Sequence, residues 1–318
     1  MQFYDIFNGD ADGLCALQQL RLEEPRASVL VTGVKRDIRL LERVSAGAGD
    51  ELTVLDISLR TNAAHLKRLL EAGARCRYFD HHAPGDIPEH ANLRTFIDTA
   101  ADACTSLIVD RYLNGRQRMW AVVAAFGDNL PGAALRAAAP LGLEEGDLAR
   151  LRKLGEAMNY NAYGDTVDDL HYHPAELFET LRAYRDPREF INCEPVFEAL
   201  RNALADDLER AEALAPELER GKCTLYVMPE AAWSRRIYGY FANELALGRP
   251  ERAHALLVSK HGGYAVSVRA PLERPYGADT LCLKFETGGG RKAAAGINFL
   301  PEAELARFIA EFERQFSA

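Results

Sequence analysis

Apolar residues in the first third of the chain fall in short runs, with charged, helix-periodic stretches between them. Gln2–Phe7 reads as a short strand and Asp12–Leu22 as the helix after it. Ser28–Gly33 is a β-branched run, and Asp37–Val44 returns to helical spacing. Leu52–Ile57 is a strand, Asn62–Ala72 a helix closed at Gly73, and Cys76–Asp80 another strand. Leu93–Asp98 and a helix from Thr105 continue the alternation. This pattern predicts a mostly parallel sheet with helices on both faces, where ligands gather beyond the carboxyl ends of the strands. Trp120–Phe126 is apolar throughout, and periodicity does not choose between helix and strand there.

From about Leu143 to Gly221 the strand signal vanishes, and Leu148–Met158, Ala175–Tyr184 and Pro195–Leu218 carry helical periodicity with many charges. Strands return at Thr224–Met228, His254–Ser259 and Tyr264–Arg269, with helices near Tyr238–Leu247 and Glu302–Phe316. The expectation is an α/β protein in three parts. A mostly parallel sheet domain covers 1–145, a helical connector 146–221, and a smaller α/β domain 222–318. A length of 318 residues fits more than one domain.

Composition narrows the function without changing this layout. Hydrophobic residues at 48% and charged residues at 27% are ordinary for a globular chain, so disorder is excluded. No apolar run reaches the roughly 18 residues of a membrane span, and no membrane partner is expected. Met1-Gln2-Phe3-Tyr4-Asp5 lacks the basic and apolar regions of a signal peptide, which makes the cytoplasm the expected location. Six scattered cysteines without a C-x-x-C pair point to buried reduced thiols rather than structural zinc or a disulfide framework. A net charge of −9 advertises no basic face for a long duplex, but it is compatible with small anionic substrates.

Four segments carry candidate chemistry, each after a strand or apolar run. Asn8-Gly9-Asp10-Ala11-Asp12-Gly13 comes first. Taken alone it also reads as a turn with a helix N-cap. It is not an EF-hand, since the third oxygen ligand and the closing Glu are missing. Asp56 follows Thr53-Val54-Leu55, and a helix cap is again the plain alternative. Asp80-His81-His82 follows Arg77-Tyr78-Phe79, and adjacent histidines point to opposite sides if the strand persists. Gly127-Asp128-Asn129 follows Trp120–Phe126. Together, Asp10, Asp12, Asp56, His81 and Asp128 converge on one sheet edge, where four anionic groups would repel one another. Divalent cations remove that conflict, and carboxylates with an imidazole suit Mn²⁺ or Mg²⁺. Two such ions about 3.5–4 Å apart would activate a water and stabilise phosphoryl charge.

The order D-x-D-G, D, D-H-H, G-D-N resembles the DHH phosphoesterases, which include RecJ-type exonucleases, nano-RNases, cyclic-dinucleotide phosphodiesterases and family-II pyrophosphatases. The resemblance makes Asp10 a ligand of one metal and Asp12 of the other, with Asp56 bridging and His81 and Asp128 completing the second site. It makes Asp80 the partner that orients an imidazole and His82 the group facing the substrate phosphate, a candidate catalytic pair. Many relatives have a histidine where this chain has Asn8, and an amide oxygen is a weaker transition-metal ligand. Thr105-Ser106 also resembles a Ser/Thr pair that follows D-H-H in relatives, although helix capping is the favoured role.

The last domain carries Gly288-Gly289-Gly290-Arg291-Lys292-Ala293-Ala294-Ala295-Gly296. As a G-x-G-x-x-A match it lacks the following βαβ unit of a dinucleotide site. A flexible linker is the bland reading. The segment resembles the glycine motif of the DHHA1 domain, where backbone amides grip substrate. Arg291 stands in for the usual histidine, and its fork of donors suits phosphate. Ser267-Val268-Arg269 resembles the S-x-R segment of nano-RNases, which makes Arg269 a second anion-binding candidate. His171 and His173 have no metal-motif partner, so packing is favoured for them.

The resemblance implies a metal-dependent phosphoesterase with a DHH domain, a connector and a DHHA1 domain, its active site in the interdomain cleft. Its substrate would be a short oligonucleotide or a nucleotide such as a linear dinucleotide. The rivals are hydrolysis of polyphosphate or another non-nucleotide phosphate, and a nucleotide-sensing module without catalysis. A homodimer is allowed by the pattern, which does not encode oligomeric state.

Overall fold

In the computed structural model, which describes residues 1–316, the alternating segments form a five-stranded sheet. Its strands are β1 (Phe3–Phe7), β2 (Val29–Val31), β3 (Glu51–Leu55), β4 (Arg75–Asp80) and β5 (Leu93–Ile97), all parallel in the order β2-β1-β3-β4-β5. Side-chain alternation divides these strands between two cores. Phe7, Leu55 and Phe79 join one, under α1 (Ala11–Glu23), while Ile6, Val54 and Tyr78 join the other, under α2 (Leu59–Glu71). Asp37–Val44 yields only a 3-10 turn at Leu40–Arg43, which is enough to bury Leu40, Leu41 and Val44.

The helices that follow β5 extend the first core. They are α3 (Thr105–Tyr112), α4 (Arg118–Gly127), α5 (Pro131–Ala138), α6 (Glu145–Asn161), α7 (Pro174–Leu181), α8 (Pro187–Cys193) and α9 (Pro195–Glu212). The ambiguous run at Trp120–Phe126 is therefore helix, buried on all sides, which is why it shows no periodicity. The expected connector over 146–221 does not stand apart. Leu151, Leu154, Met158, Phe178, Phe190 and Leu200 all enter the first core, and the unit runs from Met1 to Asn202. His171 bonds the Tyr160 hydroxyl at 3.0 Å, and His173 caps α7 by accepting from the Ala175 amide.

The second unit, Ala203–Ala318, holds a six-stranded mixed sheet in the order β10-β11-β9-β8-β7-β6. Its elements are β6 (Leu218–Arg220), β7 (Cys223–Met228), α10 (Ala232–Gly248), β8 (Ala253–Lys260), β9 (Gly263–Arg269), α11 (Ala278–Cys282), β10 (Gly288–Gly290), β11 (Ala294–Pro301) and α12 (Leu305–Phe316). Phe308, Phe312 and Phe316 recur every fourth residue along α12 and pack on Leu225, Leu257 and Val268. No described helix is long and apolar enough to cross a membrane.

One buried ion pair ties α1 to the sheet. Arg21 Nε donates to Asp5 Oδ2 at 2.7 Å and Nη2 to Oδ1 at 2.5 Å, and the Ser28 hydroxyl donates to the same carboxylate at 2.6 Å. Asp5 is wholly buried, so its removal leaves an uncompensated guanidinium inside the protein. Asp5→Ala is expected to cost about 3–5 kcal/mol in urea unfolding. Lys67→Ala, which breaks an exposed helical pair, should change the midpoint little.

Candidate metal centre

β1, β3 and β4 end in register, with Phe7 beside Leu55 and Leu55 beside Phe79. The residues after each strand therefore emerge along one edge. Because β1 lies between β2 and β3, that edge includes the point where strand order reverses, the usual ligand position in such sheets.

Each acid is held by backbone geometry. Asp10 N-caps α1, its Oδ1 accepting from the amides of Asp12 and Gly13 at 3.0 and 3.1 Å. The glycine of D-x-D-G is required, since a Cβ on Gly13 would lie 2.1 Å from the Asn8 carbonyl oxygen. Asp12 is almost fully buried, and each of its oxygens accepts an amide from the start of α3: Thr105 to Oδ2 and Ser106 to Oδ1, both at 2.7 Å. The expected capping role does not hold, since the N-cap of α3 is Cys104; Thr105 and Ser106 stand in its first turn and hold the acids instead. The Ser106 hydroxyl donates to the Asp12 carbonyl, and the Thr105 hydroxyl to Asp56 Oδ1 at 3.2 Å. Asp56 has φ 59°, in the left-handed region that few non-glycine residues occupy. Its amide is fixed there by the Phe79 carbonyl at 3.0 Å. Asp128 is the C-terminal cap of α4.

His81 Nδ1 lies 3.0 Å from the Ala103 carbonyl, a contact that requires the proton on Nδ1 and leaves a lone pair on Nε2. Nε2 is 3.4 Å from Asp56 Oδ1 and 4.0 Å from Asp128 Oδ2. Asp12, His81 and Asp128 each bring a ligand atom within 4.8 Å of the others, and so do Asp56, His81 and His82. The two histidines do not diverge, because β4 ends at Asp80 and the alternation ends with it; their ring centroids are 4.4 Å apart. Asp80 turns out to orient His82 rather than His81, with its Oδ1 2.7 Å from His82 Nδ1. That hydrogen bond raises the His82 pKa above the usual histidine value.

The acids are not electrically equal. Burial, compounded by Asp10, Asp12 and Asp128, pushes the Asp56 carboxyl well above its ordinary range. Burial also raises Asp128 to about 6, with Lys35 opposing and Asp12 and Asp10 adding. Burial works against ionised Asp10 too, but the Lys35 ammonium outweighs it and the pKa falls. Lys35 is the site residue that sequence reasoning missed. It follows β2, so the strand-end rule that picked out the acids also reaches it.

In the second unit, the glycine run is not a linker: β10 pairs with β11, Gly288 opposite Ile297 and Gly290 opposite Ala295. Arg291 is exposed in the turn between them. Arg269 does not extend as an exposed cation. Its guanidinium donates to Asn243 Oδ1 at 2.7 Å, Ser267 Oγ at 2.9 Å and the Gly239 carbonyl at 3.2 Å, bracing α10 against β9.

This two-unit α/β architecture is the fold of the DHH-domain proteins. The DHH domain of a member of the s1p family of ribosomal proteins aligns over 99% of this chain and 86% of its own, with a TM-score of 0.67 and 13% identity. Manganese-bound exonuclease RecJ aligns over 98% and 89%, with a TM-score of 0.62 and 18% identity. The pGpG-specific phosphodiesterase PggH from Vibrio cholerae aligns over 99% of both chains, with a TM-score of 0.58 and 13% identity. No protein-family model and no curated protein matches the sequence.

Asp128→Asn should stabilise the metal-free protein. The fold raises the Asp128 pKa from an ordinary 3.8 to about 6, a penalty of up to about 3 kcal/mol once both states are charged. Because the folded pKa is the higher one, the gain should be full at pH 8, shrink as pH falls through 6, and vanish near pH 4. Melting curves in chelator check this; equal effects at pH 4 and pH 8 would refute it.

Proposed function

We propose that the protein is a divalent-cation-dependent phosphoesterase acting on short oligonucleotides or nucleotide phosphates such as a linear dinucleotide. The observation that carries this reading is His81, its ring held through Nδ1 by the Ala103 carbonyl, with Nε2 facing Asp56 and Asp128 at the carboxyl edge of the sheet. The same fold serves a manganese-bound exonuclease and a pGpG-specific phosphodiesterase. The residues fit a cation: three carboxylates and an imidazole are hard-to-borderline donors, and two of those carboxyls have pKa values raised by unrelieved burial and mutual repulsion. Manganese is the foremost candidate and magnesium the next.

A bound divalent cation supplies Lewis acidity, lowering the pKa of water and neutralising charge on phosphoryl oxygens. The protein's own residues do the rest. Asp12, Asp56, His81 and Asp128 hold the ion, and the α3 amides on Asp12 keep that carboxylate from turning. His82, its pKa raised by the hydrogen bond to Asp80, is half-exposed and has Nε2 left to donate to a phosphoryl oxygen. In the second unit, Arg291 and the Gly288–Gly290 strand are the anion-binding candidates, while Arg269 contributes as a brace. A chain of net charge −9 without an evident basic track favours a few nucleotides over a polymer.

Chelation is expected to abolish hydrolysis, with Mn²⁺ restoring it better than Ca²⁺, which prefers more oxygen ligands in looser geometry. The assay panel is linear dinucleotides, cyclic dinucleotides, RNA of dozens of residues, and polyphosphate. Full turnover by demetallated protein would end the proposal, and turnover of polyphosphate alone would move it to a non-nucleotide substrate. His81→Ala should lose more than the roughly 10–100-fold that removal of an outer ligand partner costs. Arg291→Ala should raise KM for a dinucleotide roughly ten- to a hundredfold with kcat little changed.

A further inference from the structure

The loop after β2 presses against the Asn8-Gly9-Asp10 turn. A Cβ on Gly9 would lie 2.0 Å from the Gly33 carbonyl oxygen, so only glycine permits the approach. Two residues on, Lys35 is anchored at both backbone atoms, its amide donating to the Ala162 carbonyl at 2.8 Å and its carbonyl accepting from Asn8 Nδ2 at 3.2 Å. Its ammonium sits 2.6 Å from Asp10 Oδ2 and 3.6 Å from Asp128 Oδ1, donates to Asn159 Oδ1 at 3.0 Å, and lies 5.7 Å from the centre of the Tyr163 ring. Asp10 Oδ1 is already engaged by the α1 amides. The Asn8 amide is engaged too, since Oδ1 accepts from the Asp10 amide at 3.3 Å while Nδ2 holds Lys35.

A cation ligated by Asp10 Oδ2 would therefore meet an ammonium already on that oxygen, and Asn8 would offer it only an amide oxygen, a weaker ligand than imidazole. Repulsion between a divalent ion and an ammonium a few ångströms away, in this partly buried setting, is only weakly screened by solvent. We infer that Lys35 Nζ takes the place of one of the two expected cations, so that the centre holds a single divalent ion beside a built-in monovalent one. The ion rests on Asp12, Asp56, His81 and Asp128, and this inference depends on the metal-centre reading above. Unlike a bound ion, this ammonium is part of the chain, held between Asp10 and Asp128, and no chelator removes it.

The test counts ions in the full-length protein. Demetallated wild type is titrated with Mn²⁺, ions per chain are read by native mass spectrometry, and low-temperature electron paramagnetic resonance reports whether bound ions are spin-coupled. Wild type should bind one ion with the spectrum of isolated Mn²⁺. Lys35→Met, which keeps the stem and removes the charge, should gain a second ion when combined with Asn8→His, and a coupled spectrum should appear. Lys35→Gln with Asn8→His serves if the first pair does not fold. Two coupled ions in wild type would overturn this inference and leave the phosphoesterase proposal standing. One ion in wild type and still one in the folded double variants would also overturn it, since Lys35 would not be what excludes the second. No ion in wild type would overturn both.

Discussion

Everything at the carboxyl edge of the first sheet depends on keeping four carboxylates close together without letting them escape to solvent. Asp10, Asp12 and Asp56 are almost fully buried, and Asp128 is partly exposed. Left to themselves they would repel, and two of them respond by resisting ionisation. The fold counters this with oriented dipoles and one fixed cation: α1 amides on Asp10, α3 amides on Asp12, and the Lys35 ammonium between Asp10 and Asp128. The two carboxyls that resist ionisation, Asp56 and Asp128, are the ones that flank His81 Nε2, at 3.4 and 4.0 Å.

The scaffold has a similar logic one layer deeper. The Asp5–Arg21 pair is buried beneath α1, so the helix that begins with Asp10 and Asp12 is pinned to β1 near its far end as well. A carboxylate held at one end of a helix whose other end is also fixed has little freedom to adjust its reach. That rigidity matters because a ligand displaced by even an ångström no longer matches a cation's coordination distance.

Much of this was legible in the sequence. The alternation of strand and helix was enough for the sheet, and the acids at strand ends were enough for the edge on which they meet. Where the reading fell short, the cause was physical in each case. Trp120–Phe126 is a helix buried all round, and such a helix has no polar face to mark its period. The charged helices from Glu145 onward looked like a connector, yet a narrow stripe of Leu151, Leu154 and Met158 is sufficient to bury α6 in the first core. His81 and His82 would point to opposite sides only on a continuing strand, and the sequence did not mark that the strand stops at Asp80. The run Gly288–Gly290 has no side chains to alternate, so nothing in its composition signals a strand. Lys35 went unremarked because its importance lies in contacts with Asp10, Asp128 and Asn159, residues up to 124 positions away.

The grip of α3 on Asp12 has a further consequence for when the proposed centre could take up a cation. Thr105 and Ser106 are made 93 and 94 residues after Asp12, and Asp128 later still. A chain emerging from the ribosome therefore exposes Asp10, Asp12, Asp56 and His81 well before the amides that orient Asp12 exist. In that interval the ligands form no cage and have no geometry with which to favour one ion over another. On the proposed reading, selection among cations would wait until α3 has docked, so the finished fold, not the nascent ligand set, would choose.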